Sequence, residues 1–199
     1  MEYMAIVTQI IAIIFLLISR LQKTKGKTLV FICFALLASM GTYFLLGQVA
    51  GACLLLAGIL RSIVFFLYDH YKVKPNVIVL ICFEISFIII LGLTWESAID
   101  IFILLSLVVF TFGCWQDNMY VFRILTITDH IVCIIYNSLV GAYITLVGEV
   151  FCLTATIISI VYYDIQKRTT PIIKRVFYCF KPKQKRKKLK ARLRARRKI

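Results

Sequence analysis

No proline lies inside any of the long apolar runs; Pro75, Pro171 and Pro182 all fall outside them. No two cysteines form a C-x-x-C pair, and neither His70 nor His130 neighbours a cysteine, so the spacing supports neither a zinc site nor a disulfide framework. A Gly-rich phosphate loop, a nucleophile elbow, a metal-ligand cluster and a pair of catalytic carboxylates are all missing. That leaves an enzymatic reading without a motif and implies no cofactor and no metal. Acid is scarce: Asp and Glu number 9 against 24 Lys and Arg, and none follows Asp164. The first apolar run has no charged segment before it and no small-residue cleavage site after it, so Met4–Ser19 reads as a transmembrane helix rather than a removed signal peptide.

What is present is apolar surface. The chain is 61% hydrophobic with a mean hydropathy of +0.92, against about 45–50% apolar for soluble domains. The apolar residues fall in runs near the ~20 residues that cross a bilayer core. Seven spans are expected, at 4–20, 28–46, 49–68, 76–94, 98–115, 119–140 and 144–165. Asp117, Asn118 and Arg123 crowd the junction of the fifth and sixth. Cys33, Cys53, Cys82, Cys114, Cys133 and Cys152 lie in the spans and read as small buried hydrophobes; Cys179 lies beyond them.

The loops carry an orientation signal. Arg20, Lys23, Lys25 and Lys27 sit between the first two spans, and Lys72 and Lys74 between the third and fourth. The alternate loops, Gly47-Gln48, Trp95–Asp100 and Val140–Tyr143, hold no Lys or Arg. By the positive-inside rule the N-terminus is outside and the C-terminus cytoplasmic.

The chain also repeats itself. "YFLLGQVAGACLLLAGILRSIVFFLYD" from Tyr43 and "YNSLVGAYITLVGEVFCLTATIISIVYYD" from Tyr136 share Tyr, Gly and Tyr-Asp landmarks. Leu21-Gln22 aligns with Trp115-Gln116, Tyr43 with Tyr136 and Tyr68-Asp69 with Tyr163-Asp164, at offsets of 94, 93 and 95. Two three-span units point the same way only if an odd number of spans separates them. The expectation is an all-α membrane protein of seven transmembrane helices, a 3+1+3 parallel repeat of two three-helix bundles. Residues 1–70 form the first repeat, 71–96 the linker helix, 97–166 the second repeat and 167–199 a basic tail.

That layout resembles the SWEET sugar transporters and their PQ-loop relatives. The Pro-Gln pair is absent, as are the mid-helix prolines that hinge that group, so its gating does not carry over. A closer resemblance is to the YgjV family of bacterial inner-membrane proteins. The first word carries Gly47, Gly51, Ala52 and Arg61 at that family's spacing, and the second carries Asn137, Gly141 and Glu149. It covers roughly residues 5–165. Ile131-Val132-Cys133 stands where the family often has a Trp, and Val161-Tyr162 where an Arg often closes the last span. The resemblance implies a bacterial plasma (inner) membrane location, not an activity.

Ionisable residues at membrane depth are expensive and face a partner, a bundle interior or a cavity. Arg61, Glu84, Asp129, His130 and Glu149 qualify. Arg61 needs an anion or water, and Glu149 on the symmetry-related span is the expected partner, in a solute site or in a structural ion pair. Asp129 and His130 point about 100° apart on a helix; they relay a proton, or one pairs with a neighbouring helix while the other reaches the interior. Glu84 stands alone in the linker span. Gln48 and Asn137, at matching external ends, offer amides to a small polar solute or to a neighbouring helix. Gly47, Gly51, Gly141 and Gly148 read as sites of close helix packing.

The tail from Lys167 holds 16 Lys and Arg. Its partner is read as anionic lipid headgroups, each basic residue contributing about 1 kcal/mol near a charged leaflet; nucleic acid is the less favoured alternative, and association into a homo-oligomer is left open. Two functions follow as expectations: binding or transport of a small polar solute between the two bundles, or a non-transporting scaffold whose tail docks anionic lipid or a cytoplasmic partner.

Overall fold

The computed structural model describes residues 2–165 except Leu46, Gln48 and Glu96. The basic tail lies outside the described residues, and so does the tail's expected lipid contact. Among the described residues the chain forms seven α-helices: α1 (Glu2–Arg20), α2 (Lys25–Leu45), α3 (Val49–Tyr71), α4 (Val77–Leu93), α5 (Ile101–Trp115), α6 (Met119–Val140) and α7 (Tyr143–Ser159). A 3-10 turn, Ala98–Asp100, leads into α5, and a π-helical turn, Ile160–Ile165, follows α7. The described residues up to Ile160 form one compact unit; Val161–Ile165, the end of that π turn, fall outside it.

Six of these segments are long and apolar enough to cross a membrane: Tyr3–Arg20, Lys25–Leu45, Gly51–Tyr71, Ala98–Trp115, Met119–Val140 and Tyr143–Asp164. Helix α4 is apolar apart from Glu84 and Ser86 but 17 residues long, at the short end of what a bilayer core requires. The chain is a multi-pass membrane protein, and its surface agrees. Ile6, Ile10 and Ile14 of α1 and Ile78, Ile81, Ile85, Ile88 and Ile89 of α4 are exposed, while Thr28, Ser62, Thr111, Thr126, Thr156 and Ser159 are buried. Lipid gives apolar side chains no reason to hide, so interiors collect small and polar residues instead. Of these buried hydroxyls, all but Ser159 bond back one turn, as Thr28 does to the Thr24 carbonyl (3.0 Å) and Thr126 to that of Phe122 (2.8 Å).

Helix α2 packs between α1 and α3, and α6 packs between α5 and α7. Across the two segments α1 meets α7 and α3 meets α5, while α4 lies against both α3 and α5. Local chemistry sets the ends. Asn76 caps α4 and Asn118 caps α6, each side-chain oxygen accepting from the amide two residues on. The crowded Asp117–Arg123 junction is thus a tight turn opened by a cap. Gly141 closes α6 with φ +77°, a left-handed conformation that favours glycine.

One end of the molecule carries a reciprocal contact. Lys25 Nζ, at the start of α2, donates to the Gln116 carbonyl at the end of α5 (2.8 Å). Arg123 Nη2, near the start of α6, donates to the Gln22 carbonyl just past α1 (2.9 Å). The last carbonyls of a helix have no partner within it. A cation placed there satisfies them and complements the negative end of the helix dipole. Ser159 Oγ also donates to the Arg20 carbonyl (2.6 Å), joining the ends of α1 and α7.

Candidate functional site

Two arginines share one aromatic ring inside the helix assembly. Arg61, in the middle of α3, is 4% exposed; its guanidinium lies 4.7 Å from the ring centre of Phe110 on α5 and 5.3 Å from that of Phe87 on α4. Nη1 donates to Thr111 Oγ1 (3.0 Å), which is free to accept because its own proton goes to the Leu107 carbonyl (2.6 Å). Arg20, the last residue of α1, is 6% exposed, and its guanidinium lies 5.5 Å from the centre of the same Phe110 ring. Arg61 Nε and Arg20 Nε and Nη1 are buried without a hydrogen-bond partner. Among the described residues no carboxylate oxygen comes within 4.0 Å of either guanidinium. Asp129 and Glu84 act on Arg61 through space, and Arg20 acts on Asp129.

Magnitudes separate the two arginines. Burying a charge costs several kcal/mol even after relaxation. Arg61 recovers a comparable amount: about 1–2 kcal/mol for each desolvated cation–π contact and about 1.5–3 kcal/mol for a charged hydrogen bond. Arg20 has one longer ring contact and no side-chain hydrogen bond, so its burial is not compensated within the described residues.

The acidic side of the site is closed. Asp129 Oδ1 accepts from Ser106 Oγ of α5 at 2.5 Å, and Ser106 also touches Cys133 Sγ (3.2 Å). His130 Nδ1 meets Glu149 Oε2 of α7 at 2.6 Å; the His130 and Glu149 side chains are 2% and 14% exposed. His130 Nε2 is buried without a partner. The helical twist between adjacent positions turns Asp129 to α5 and His130 to α7, so each bonds a separate neighbour. Glu84 on α4 leaves its buried Oε2 unpartnered.

The expected Arg61–Glu149 pair is therefore corrected: Glu149 is held by His130, and Arg61 sits between two phenylalanine rings with Thr111. Asn137 is 6% exposed and its amide nitrogen donates to the Cys133 carbonyl of its own helix (2.8 Å). Gln48 lies outside the described residues. The glycines divide into two kinds. A Cβ on Gly51 would stand 2.3 Å from the Tyr43 ring, and one on Gly148 would stand 2.9 Å from Ile13 of α1. Gly47 and Gly141 are instead turn residues, with φ +72° and +77° and nothing within 4 Å of an added Cβ. Their conformation, not a close approach, calls for glycine.

Sequence reasoning placed Arg20 in a cytoplasmic loop and did not name Thr111, Ser106, Phe110 or Phe87. Arg20 ends the first apolar run without a break, but nothing in the sequence marks it as turning inward. The phenylalanines carry no such mark among 15. No group of His, Cys, Asp and Glu able to hold a metal occurs among the described residues.

A family model described as Imp-YgjV, bacterial inner membrane protein, matches residues 3–167. No curated protein and no solved structure matches the chain.

Proposed function

Because the chain belongs to the YgjV family of bacterial inner membrane proteins, we propose that it binds a small polar solute, and moves it, between two pseudo-symmetric three-helix bundles. The carrying observation is the polar interior drawn from both halves: Arg20 and Arg61 from one, Thr111, Asp129, His130 and Glu149 from the other, with donors left open among them. Sealed structural cores pair their buried polar groups; an interior with open donors fits a site that a solute completes.

The repeat is part of the proposal. Exchanging α1 with α5, α2 with α6 and α3 with α7 maps the main neighbours among these six helices onto one another, including α1–α7 onto α3–α5, while α4 touches α3 and α5. Gln22 and Gln116, aligned at offset 94, each offer a carbonyl to a cation from the opposite half. The proposal takes 1–70 as the first repeat, 71–96 with α4 as the linker crossing and 97–166 as the second repeat. The Lys and Arg bias puts the N-terminus outside and residues 167–199 in the cytoplasm. Reporter fusions after Lys74 and Lys167 are expected to read cytoplasm, and one near Trp95 outside.

Thermal unfolding of the purified protein against sugars, amino acids and nucleobases tests the solute reading. Saturable stabilisation by one class supports it; no stabilisation by any contradicts it. The scaffold reading has one observation in its favour. Ser106 pairs with Asp129, and His130 Nδ1 with Glu149, without a ligand.

A further inference from the structure

On the premise that a solute is bound between the two bundles, we infer that its class is an oxyanion, a carboxylate or phosphate group held by Arg20 and Arg61 beside Phe110. Both side chains are more than nine-tenths buried, both lie within 5.5 Å of the centre of one ring, and three of their nitrogens have no partner. An arginine keeps its charge in nearly any surroundings, so burial leaves it two ways to be satisfied: an anion or water. The available protein anions are committed or out of reach. Asp129 is tied to Ser106, Glu149 to His130, and Glu84 acts on Arg61 only at a distance.

The surroundings also favour a charged guest. Phe87 and Phe110 exclude water from Arg61 and strengthen any charge-assisted bond made there. Thr111 fixes one end of the Arg61 guanidinium and leaves Nε open. Arg20 comes from α1, Arg61 from α3 and the Phe110 ring from α5. The anion would therefore join α1 to α3 beside a ring of the other half. A neutral polyol would leave the Arg20 charge uncompensated. A cation would be repelled.

The test uses the full purified chain in zwitterionic detergent, with inorganic phosphate, succinate, glucose and choline as soluble probes. Phosphatidylglycerol and phosphatidylcholine vesicles form a separate arm. The 16 basic residues of the tail also attract anions, so the readout is the difference between wild type and the interior variants. Phosphate or succinate is expected to stabilise wild type saturably, with glucose and choline inactive. Arg20→Met and Arg61→Met are each expected to weaken that binding about tenfold or more, as loss of a charge-assisted bond implies. Arg61→Lys keeps the charge and is expected to retain part of the affinity; Lys72→Gln is expected to leave it unchanged. The same arginine dependence with phosphatidylglycerol alone supports the oxyanion site and assigns the anion to a lipid headgroup. Anion binding of equal strength in both Met variants overturns the inference, since the tail then accounts for it. Stabilisation of wild type by glucose alone also overturns it and leaves the solute reading standing. No stabilisation by any probe overturns both.

Discussion

Helices α1–α3 and α5–α7 treat buried charge differently. In α5–α7 the carboxylate and imidazole of the α6 midpoint close on their own segment, Asp129 on Ser106 and His130 on Glu149. In α1–α3 the arginines reach out of their segment to Phe110 and Thr111, and nitrogens of both remain open. Groups that satisfy one another stabilise the fold. Groups held open at a cost are the usual mark of function, where stability is given up for a site. The difference puts the paired polar fastenings in the second segment, where His130 Nε2 alone of those two pairs stays open, and the open guanidinium nitrogens in the first.

The comparison breaks first at His130. His130→Ala leaves Glu149 inside the assembly without its partner, and the expected loss of stability is the largest, about 3–5 kcal/mol. Chemical or thermal unfolding of the purified protein measures it. A loss below about 1 kcal/mol would mean that the second segment is not fastened there. Glu149→Gln, which keeps a hydrogen-bonding group, is expected to lose less than His130→Ala.

The reciprocal contact sharpens the comparison at the other end. Lys25→Met and Arg123→Met each remove a charged bond to a helix-end carbonyl. Each is expected to cost about 1.5–3 kcal/mol, and the double variant should cost about the sum if the two contacts act independently. A double variant no worse than one single would show that the two contacts act as a single latch. The packing glycines come next. Gly51→Ala drives a methyl into the Tyr43 ring at 2.3 Å, whereas Gly148→Ala meets Ile13, led by the movable end of its side chain, at 2.9 Å. The first is expected to cost about 1–3 kcal/mol and the second about 1 kcal/mol or less, since overpacking against a rigid ring relaxes least. Unfolding midpoints of the two variants in the same detergent check the order.

Much of the fold was legible because lipid imposes a simple rule: long apolar runs become helices. The described ends of α1, α3, α5 and α6 fall within three residues of the expected spans, and the junction feared at Asp117–Arg123 resolves through the Asn118 cap. The site was legible only as a list. Charge scarcity flagged Arg61, Glu84, Asp129, His130 and Glu149, but sequence gives depth along a helix and not the direction a side chain faces. Pairing Arg61 with Glu149 assumed that symmetry-related helices face one another; the helix next to α7 that offers a partner is α6, one turn of the chain away. Arg20 was misread because a basic residue at the end of a span resembles a loop charge, and only packing shows that it turns inward.

The smallest stability effect is the most telling. If Arg20 and Arg61 are kept for a ligand and not for the fold, replacing both with methionine should cost little, because an apolar chain of similar length fills the space and removes two desolvated charges. The measurement is the unfolding free energy of the Arg20→Met/Arg61→Met double variant against wild type, in detergent without added anion. The account predicts a value within about 1 kcal/mol of wild type or above it, beside a loss several times larger for His130→Ala. A double variant destabilised as much as His130→Ala would contradict it, since the arginines would then be fastenings of the fold like the pairs of the second segment.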